Sequence, residues 1–138
     1  MTESTLRTSI LHDLSHIGLR VVVGILFIVH SQPKFGSGFL GFLSSHNLPS
    51  ELALPVGLLE LIGGAFLIAG ILTRISSALL AIDMLGAIIY VKKMSSFSGN
   101  GGVELELLAL AILCTVMVLG PGRISVSHIV RKIPKFLQ

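Results

Sequence analysis

The chain has 138 residues, of which 52% are hydrophobic and only 12% charged, and its mean hydropathy is +0.91. A soluble domain of this length carries about a quarter charged residues, so the composition reads as a single integral membrane domain over residues 1–138. Ten Lys and Arg against seven Asp and Glu leave a net charge of +3 without a dense basic run, which excludes nucleic acid as a partner and suits lipid headgroups, while the lone Cys114 excludes an intrachain disulfide or thiol relay.

The first thirteen residues are polar with a weak apolar pattern (Leu6, Ile10, Leu11) and are expected to lie on the membrane surface. No small-residue cleavage site follows the first apolar run, so no removable leader is expected. His12 and His16 stand at i, i+4, the ligand spacing of a helical zinc site, but Asp13 follows the first His where such sites carry Glu, and no third ligand is evident. They are read as solvated interfacial histidines, and no metal is assigned.

Four apolar segments follow, at about 14–33, 53–73, 75–92 and 103–120. Each is near the ~20 residues that cross a ~30 Å hydrocarbon core. None shows the alternation of a barrel strand, so helices are expected. The second, VGLLELIGGAFLIAGILTR from Val56, carries Glu60 with Gly63 and Gly64 one turn on. A carboxylate near the centre of a span costs roughly 2.5–3.5 kcal/mol on insertion scales, and something must offset it. Thr73-Arg74 is a very short link, which predicts a tight hairpin between the second and third segments. Pro33 ends the first segment and Gly120-Pro121-Gly122 the fourth.

Between the first two segments, Phe35, Phe39 and Phe42 recur at helical spacing, which places 35–47 in the interface or dipping back into the bundle. Gly36, Gly38 and Gly41 form a G-x-G-x-x-G that lacks the preceding strand of a dinucleotide site. Residues 94–102 read as a flexible loop, and 123–138 as a basic amphipathic tail. With the N-terminus inside, Arg7, Arg20, Arg74, Arg123, Arg131, Lys132 and Lys135 fall on the inner side, against Lys34, Lys92 and Lys93 outside. The positive-inside rule then puts both termini in the cytoplasm of a multi-pass protein of the cell membrane.

Helical periodicity gives each segment a face of polar and small residues. Arg20, Gly24, Phe27, Ser31 and Lys34 align on the first, with His30 to one side; Glu60, Gly63 and Gly64 share a face on the second. Ser76, Asp83, Gly86, Ala87 and Tyr90 align on the third, and Glu104, Ala111 and Thr115 on the fourth. Such faces let helices approach closely, and they predict an all-α four-helix transmembrane bundle with the polar faces inward. At ~1.5 Å per residue, Asp83 lies near mid-membrane, Glu60 about 4–5 Å outward, His30 and Tyr90 about 10 Å out, and Glu104 about 12 Å out. Arg20, about 6 Å inward, is within reach of Asp83. Glu106 is about 200° around the helix from Glu104, so it is assigned to the interface, and Cys114 to buried packing.

Two readings of His30, Lys34, Glu60, Asp83, Tyr90 and Glu104 stand side by side. They line a site for a quinone headgroup or for protons, since a carboxyl held away from water suits proton exchange. Alternatively they are structural pairs, Arg20 with Asp83 and Lys34 or His30 with Glu60, with Arg20 snorkelling inward.

The same residues carry a family resemblance. Arg20…Gly24…His30…Lys34, Glu60-x-x-Gly63-Gly64, Gly70-x-x-Thr73-Arg74, Gly101-Gly102-x-Glu104 and Gly120-Pro121-Gly122 together resemble the DoxX/DoxD-like family over about residues 17–125. Ser31 departs from the Gly that often follows the His. The resemblance implies a small four-helix membrane protein associated with a membrane oxidoreductase, as in the membrane part of thiosulfate:quinone oxidoreductase. Its motif positions here are Arg20, His30, Lys34, Glu60, Arg74 and Glu104. The chain has no haem-type histidine pair on facing helices, no Cys pair and no nucleotide motif, so a redox centre is expected in a bound cofactor such as quinone or in partner subunits. A non-catalytic accessory subunit and a small-solute or proton pathway are the alternatives.

Overall fold

A computed structural model describes residues 10–130 and residue 134. Arg7, Arg131, Lys132 and Lys135, and with them part of the basic tail, lie outside the described residues. Among the described residues there are helices and no strand.

Helix α1, Ile10–Ser31, runs until Pro33 removes a backbone donor, and the chain tightens into a 3-10 turn over Gln32–Phe35. Helix α2, Ser37–Ser45, is the short connection foreseen from the phenylalanine spacing. After a 3-10 turn at Ser50–Leu52, α3 spans Ala53–Ala69. It ends on Gly70 in the left-handed region, at φ 71°, and the Ile71 N–H donates to the Phe66 carbonyl at 2.9 Å, the bond that closes a Schellman cap. Helix α4, Thr73–Gly86, begins three residues later and continues as a π-helical turn over Ala87–Val91. Helix α5 covers Glu104–Leu119, and a single turn, α6, covers Val126–Ile129.

The hairpin between the second and third segments is therefore Gly70-Ile71-Leu72, not Thr73-Arg74. Thr73 and Arg74 already belong to α4, because the glycine accepts the positive φ that stops α3. Among the described residues, three helices with their flanking turns are long and apolar enough to cross a membrane: Ile10–Phe35, Ser50–Ala69 and Thr73–Val91.

Helices α1, α3, α4 and α5 pack in that order around a core of Val23, Phe27, Leu67, Leu80, Leu113 and Val116. The tightest seam is α1 on α3. A Cβ at Gly24 would sit 2.7 Å from the Gly64 carbonyl oxygen, and a Cβ at Gly64 would sit 2.7 Å from the Gly24 oxygen. The two backbones touch, which is how helices gain packing where lipid offers no hydrophobic driving force. Gly24→Val is expected to force them apart and to cost about 1–3 kcal/mol, as overpacking does. Unfolding in detergent measures this; an unchanged midpoint would contradict the close approach.

The outward faces carry Val22, Ile25, Leu54, Ile62, Ile82 and Leu108, all exposed on the chain. An apolar belt of this size suits lipid and not water. Cys114 belongs to this outer surface, so its assignment to buried packing is corrected: it is exposed, while Leu113 beside it fills the core. His16 is corrected in the other direction. It is buried rather than solvated, under Gly122, where a Cβ would run into its ring.

Candidate functional site

At the end of the bundle capped by α2, a cavity of about 320 Å³ opens between α3 and α4. Its floor is charged. Glu60, only 2% exposed, receives the Lys34 ammonium at 2.6 Å, and the same ammonium donates to the His30 carbonyl at 3.0 Å. Asp83, one helix over on α4, lines the same cavity. One ammonium and two carboxyls thus line the cavity floor.

The walls are largely apolar and aromatic. Helix α2 roofs the cavity with Phe39, Phe42 and the buried Leu43. Phe39 and Phe42 stack with ring centroids 5.5 Å apart, and Lys34 Nζ lies 5.4 Å from the Phe39 centroid. That distance is within cation–π range, so the roof and the charged floor hold each other in place. Phe35 packs against Gly57, where a Cβ would approach its ring to 3.2 Å, and this seats the turn that carries Lys34.

The rim is set by the π-helical turn. Its extra residue, marked by the Lys92 N–H donating to the Ala87 carbonyl at 3.0 Å, brings Tyr90 and Lys92 to the cavity. Lys92 Nζ pairs with Glu106 at 2.8 Å and donates to the Gly102 carbonyl at 2.5 Å, which ties the rim to the start of α5.

Five of the residues read from the sequence as a polar cluster therefore line one cavity: His30, Lys34, Glu60, Asp83 and Tyr90. His30 stands at its mouth and turns Nδ1 back to the Leu26 carbonyl at 3.0 Å, so Lys34 and not His30 pairs with Glu60. Glu104 does not join them. It is exposed, and so are Ala111 and Thr115, the face expected to point inward. Helix α5 is rotated so that Ala109, Leu113 and Val116 fill the core, and Glu106, assigned to the interface from the sequence, lines the cavity instead. Lys92, Glu106 and the α2 phenylalanines are the lining residues that the periodicity argument did not place there.

Arg20 is also corrected. It neither pairs with Asp83 nor snorkels. It is 1% exposed, and its guanidinium donates to the carbonyls of Leu67 at 3.0 Å, Ile68 at 3.1 Å, Ile124 at 2.9 Å, and Pro121. Leu67 and Ile68 close α3, and Pro121 follows the end of α5. Helix C-termini carry partial negative charge, so the cation is compensated by backbone dipoles. Phe27, Leu67 and Leu80 belong to the apolar core that separates this hub from the charged cavity floor. Arg74 is exposed at the start of α4, away from the cavity. Among the described residues, no group of three or more His, Cys, Asp or Glu side chains converges as a metal ion needs.

A cavity with apolar walls and a charged floor can seat the polar end of an amphiphilic ligand and exchange a proton with it. The family described as DoxX matches this chain over residues 16–93, which includes most of α1, all of α2 to α4 and the cavity floor. A relative from Bacillus subtilis, named "Putative oxidoreductase CatD", is 42% identical over 102 residues, covering 72% of this chain and 76% of its own. An uncharacterized protein from Haemophilus influenzae is 26% identical over 116 residues, covering 80% of this chain and 86% of its own. No solved structure matches the chain. The helical architecture, the membrane-length apolar helices and the match across them agree: the chain is a membrane protein of the DoxX family.

Proposed function

We propose that the protein is an integral subunit of a membrane oxidoreductase and that its cavity receives a quinone headgroup and exchanges protons with it. In this reading α5 is the fourth span, both termini face the cytoplasm of a multi-pass cell-membrane protein, and the cavity opens in the outer half of the bilayer. Residues 103–120 give α5 and its flanks near-spanning length, and Arg20, Arg74 and Arg123 gather at the end opposite the cavity, as the positive-inside rule asks.

The observation that carries the reading is the cavity floor, where one ammonium and two carboxyls lie beneath an aromatic roof. Reduction of a quinone to a quinol consumes two electrons and two protons. The carboxyl pair of Glu60 and Asp83 passes protons, Lys34 holds the carbonyl end of the headgroup, and the electrons come from a partner subunit. A relative named as an oxidoreductase supports a redox setting.

Asp83→Asn is the cleanest test, because it removes a proton site and leaves the Lys34–Glu60 pair. Quinone-dependent turnover of the complex extracted from native membranes is expected to fall by about 10²-fold, in the range of a lost general acid–base group, with the complex still assembled. Unchanged turnover in an assembled complex would instead mark the protein as an accessory subunit.

A further inference from the structure

Between the charged cavity floor and the Arg20 hub, the four long helices turn only apolar side chains and glycines inward. On α1 every residue from Val21 to Val29 is apolar or glycine. The same holds on α3 from Leu61 to Ala69 and on α4 from Ala78 to Ile82. On α5, Cys114 and Thr115 are exposed on the outer surface, and the Thr115 hydroxyl donates to the Ala111 carbonyl at 2.9 Å.

Three side chains fill this band at a regular spacing. Phe27 stands seven residues from Arg20 and seven from Lys34. Leu113 stands seven from Glu106 and seven from Gly120, and Leu80 seven from Thr73 and seven from Ala87. Seven residues nearly complete two turns, so each series shares a helix face. Phe27, Leu80 and Leu113 are fully buried and belong to one cluster. The seams beside them are closed too: Gly24 and Gly64 bring α1 and α3 into backbone contact, and a Cβ at Gly63 would approach Leu80 to 3.1 Å. Below Asp83, the next polar side chain on α4 is Ser77, six residues away, a rise of about 9 Å. Proton transfer needs hydrogen-bond reach, about 2.6–3.2 Å or one intervening water, and apolar cavities stay dry. Beneath the band, the Arg20 guanidinium stays charged and repels protons coming from that side.

The cavity opens the other way. His30 and Tyr90 are exposed at its mouth. On the rim, Lys92 pairs with Glu106 and donates to the Gly102 carbonyl, where the exposed polar loop 94–101 returns to the bundle.

We propose that Glu60 and Asp83 exchange protons only with the water at the α2 end, through the open rim, and that the layer of Phe27, Leu80 and Leu113 seals the bundle against protons from the opposite end. This deepens the quinone reading and rests on it for the use of the protons. Reduction of one quinone by two electrons from the partner subunit takes both protons from the α2 face, and oxidation of a quinol releases both there. The chain is therefore no proton pathway across the membrane.

The seal is tested without quinone, on the full chain in sealed vesicles. Under an imposed potassium diffusion potential, a pH dye trapped inside is expected to report the same proton entry as in protein-free vesicles. Entry at least about tenfold faster, the change that lowering a barrier by ~1.4 kcal/mol produces, overturns the seal. Leu113→Asn and Leu80→Ser each place a polar group in the middle layer and should raise proton entry by about that factor. If both variants fold and neither admits protons faster, the barrier is not this layer. Access is read separately with Ala87→Cys in a Cys114→Ser background, since Ala87 lines the cavity and Cys114 lies on the outer surface. A membrane-impermeant, positively charged thiol reagent should react from the α2 face of oriented membrane vesicles, and at least about tenfold more slowly from the opposite face. Equal reaction from both faces, or reaction from neither, overturns the one-sided opening. All these failures leave the headgroup site standing. If Asp83→Asn leaves quinone turnover unchanged, the quinone reading fails and the use of the protons with it, while the seal is decided by the vesicle results.

Discussion

Arg20→Met is expected to destabilise the protein more than any other single substitution on its inner half, by at least about 3 kcal/mol, given that hydrogen bonds to a charged group contribute about 1.5–3 kcal/mol each and do not simply add. The guanidinium joins three elements at once. It accepts no carboxylate partner among its contacts and instead gathers the carbonyls of Leu67 and Ile68 at the end of α3 and those of Pro121 and Ile124 beyond α5. Nearby, the Ser127 N–H donates to the Gly70 carbonyl at 3.2 Å, and a Cβ at Gly70 would press on Arg20 and Ser125. Methionine keeps much of the volume but removes the donor to the Ile68, Pro121 and Ile124 carbonyls, while Leu67 keeps the Gly70 N–H at 3.3 Å. Arg20→Lys should recover only part of the loss, because an ammonium cannot reproduce the planar fork of donors. Unfolding by a denaturing detergent reads the change, and limited proteolysis should show the segment after Pro121 released first. If Arg20→Met unfolds at the same detergent fraction as the unaltered protein, the guanidinium is not the fastener described here.

The second large effect concerns the cavity floor. Glu60→Ala leaves the Lys34 ammonium without its 2.6 Å partner in a site where Glu60 is almost fully buried. Breaking such a pair from one side costs about 3–5 kcal/mol, because the remaining charge stays desolvated. Replacing both residues, Lys34→Met with Glu60→Leu, removes both desolvation penalties and is expected to return most of that stability. A double-mutant cycle on unfolding free energies therefore separates stability from activity: the doubly substituted protein should be folded and yet unable to bind a quinone. A double substitution as unstable as Glu60→Ala alone would show that the pair is held by something other than its own charge balance. The Lys92–Glu106 pair at the rim is more open to solvent, and its loss is a smaller effect.

Much of the inward surface was legible because α1 has a strongly patterned face and α3, though apolar nearly all round, carries a single carboxylate beside two glycines. Arg20, Gly24, Phe27 and Ser31 recur with the helical period and all are buried; Glu60, Gly63 and Gly64 do the same on α3. On α5 the inward face differs from the expected one for a physical reason. The stretch ELELLALAILCTVMVL is apolar nearly all round, so periodicity fixes angles between its residues but not the rotation of the whole helix. Glu104 and Glu106 lie on opposite sides, and either can face inward. What selects Glu106 is Lys92, carried to the rim by a π-helical turn that no local signal announces.

Taken alone, the amino-acid order determined the solvent and the class of structure: low charge and long apolar runs demand lipid, and lipid demands backbones satisfied within helices. It also determined which glycines allow α1 and α3 to touch and which carboxylate needs a partner, since these follow from residue size and charge along a single helix. Tertiary structure decided the partners. Arg20 binds backbone carbonyls, a group that every residue carries, so nothing in the side-chain sequence identifies which four it meets. The rotation of α5 and the roof of phenylalanines over the charged floor depend on how helices remote in sequence are turned toward each other, and that is settled only when they pack.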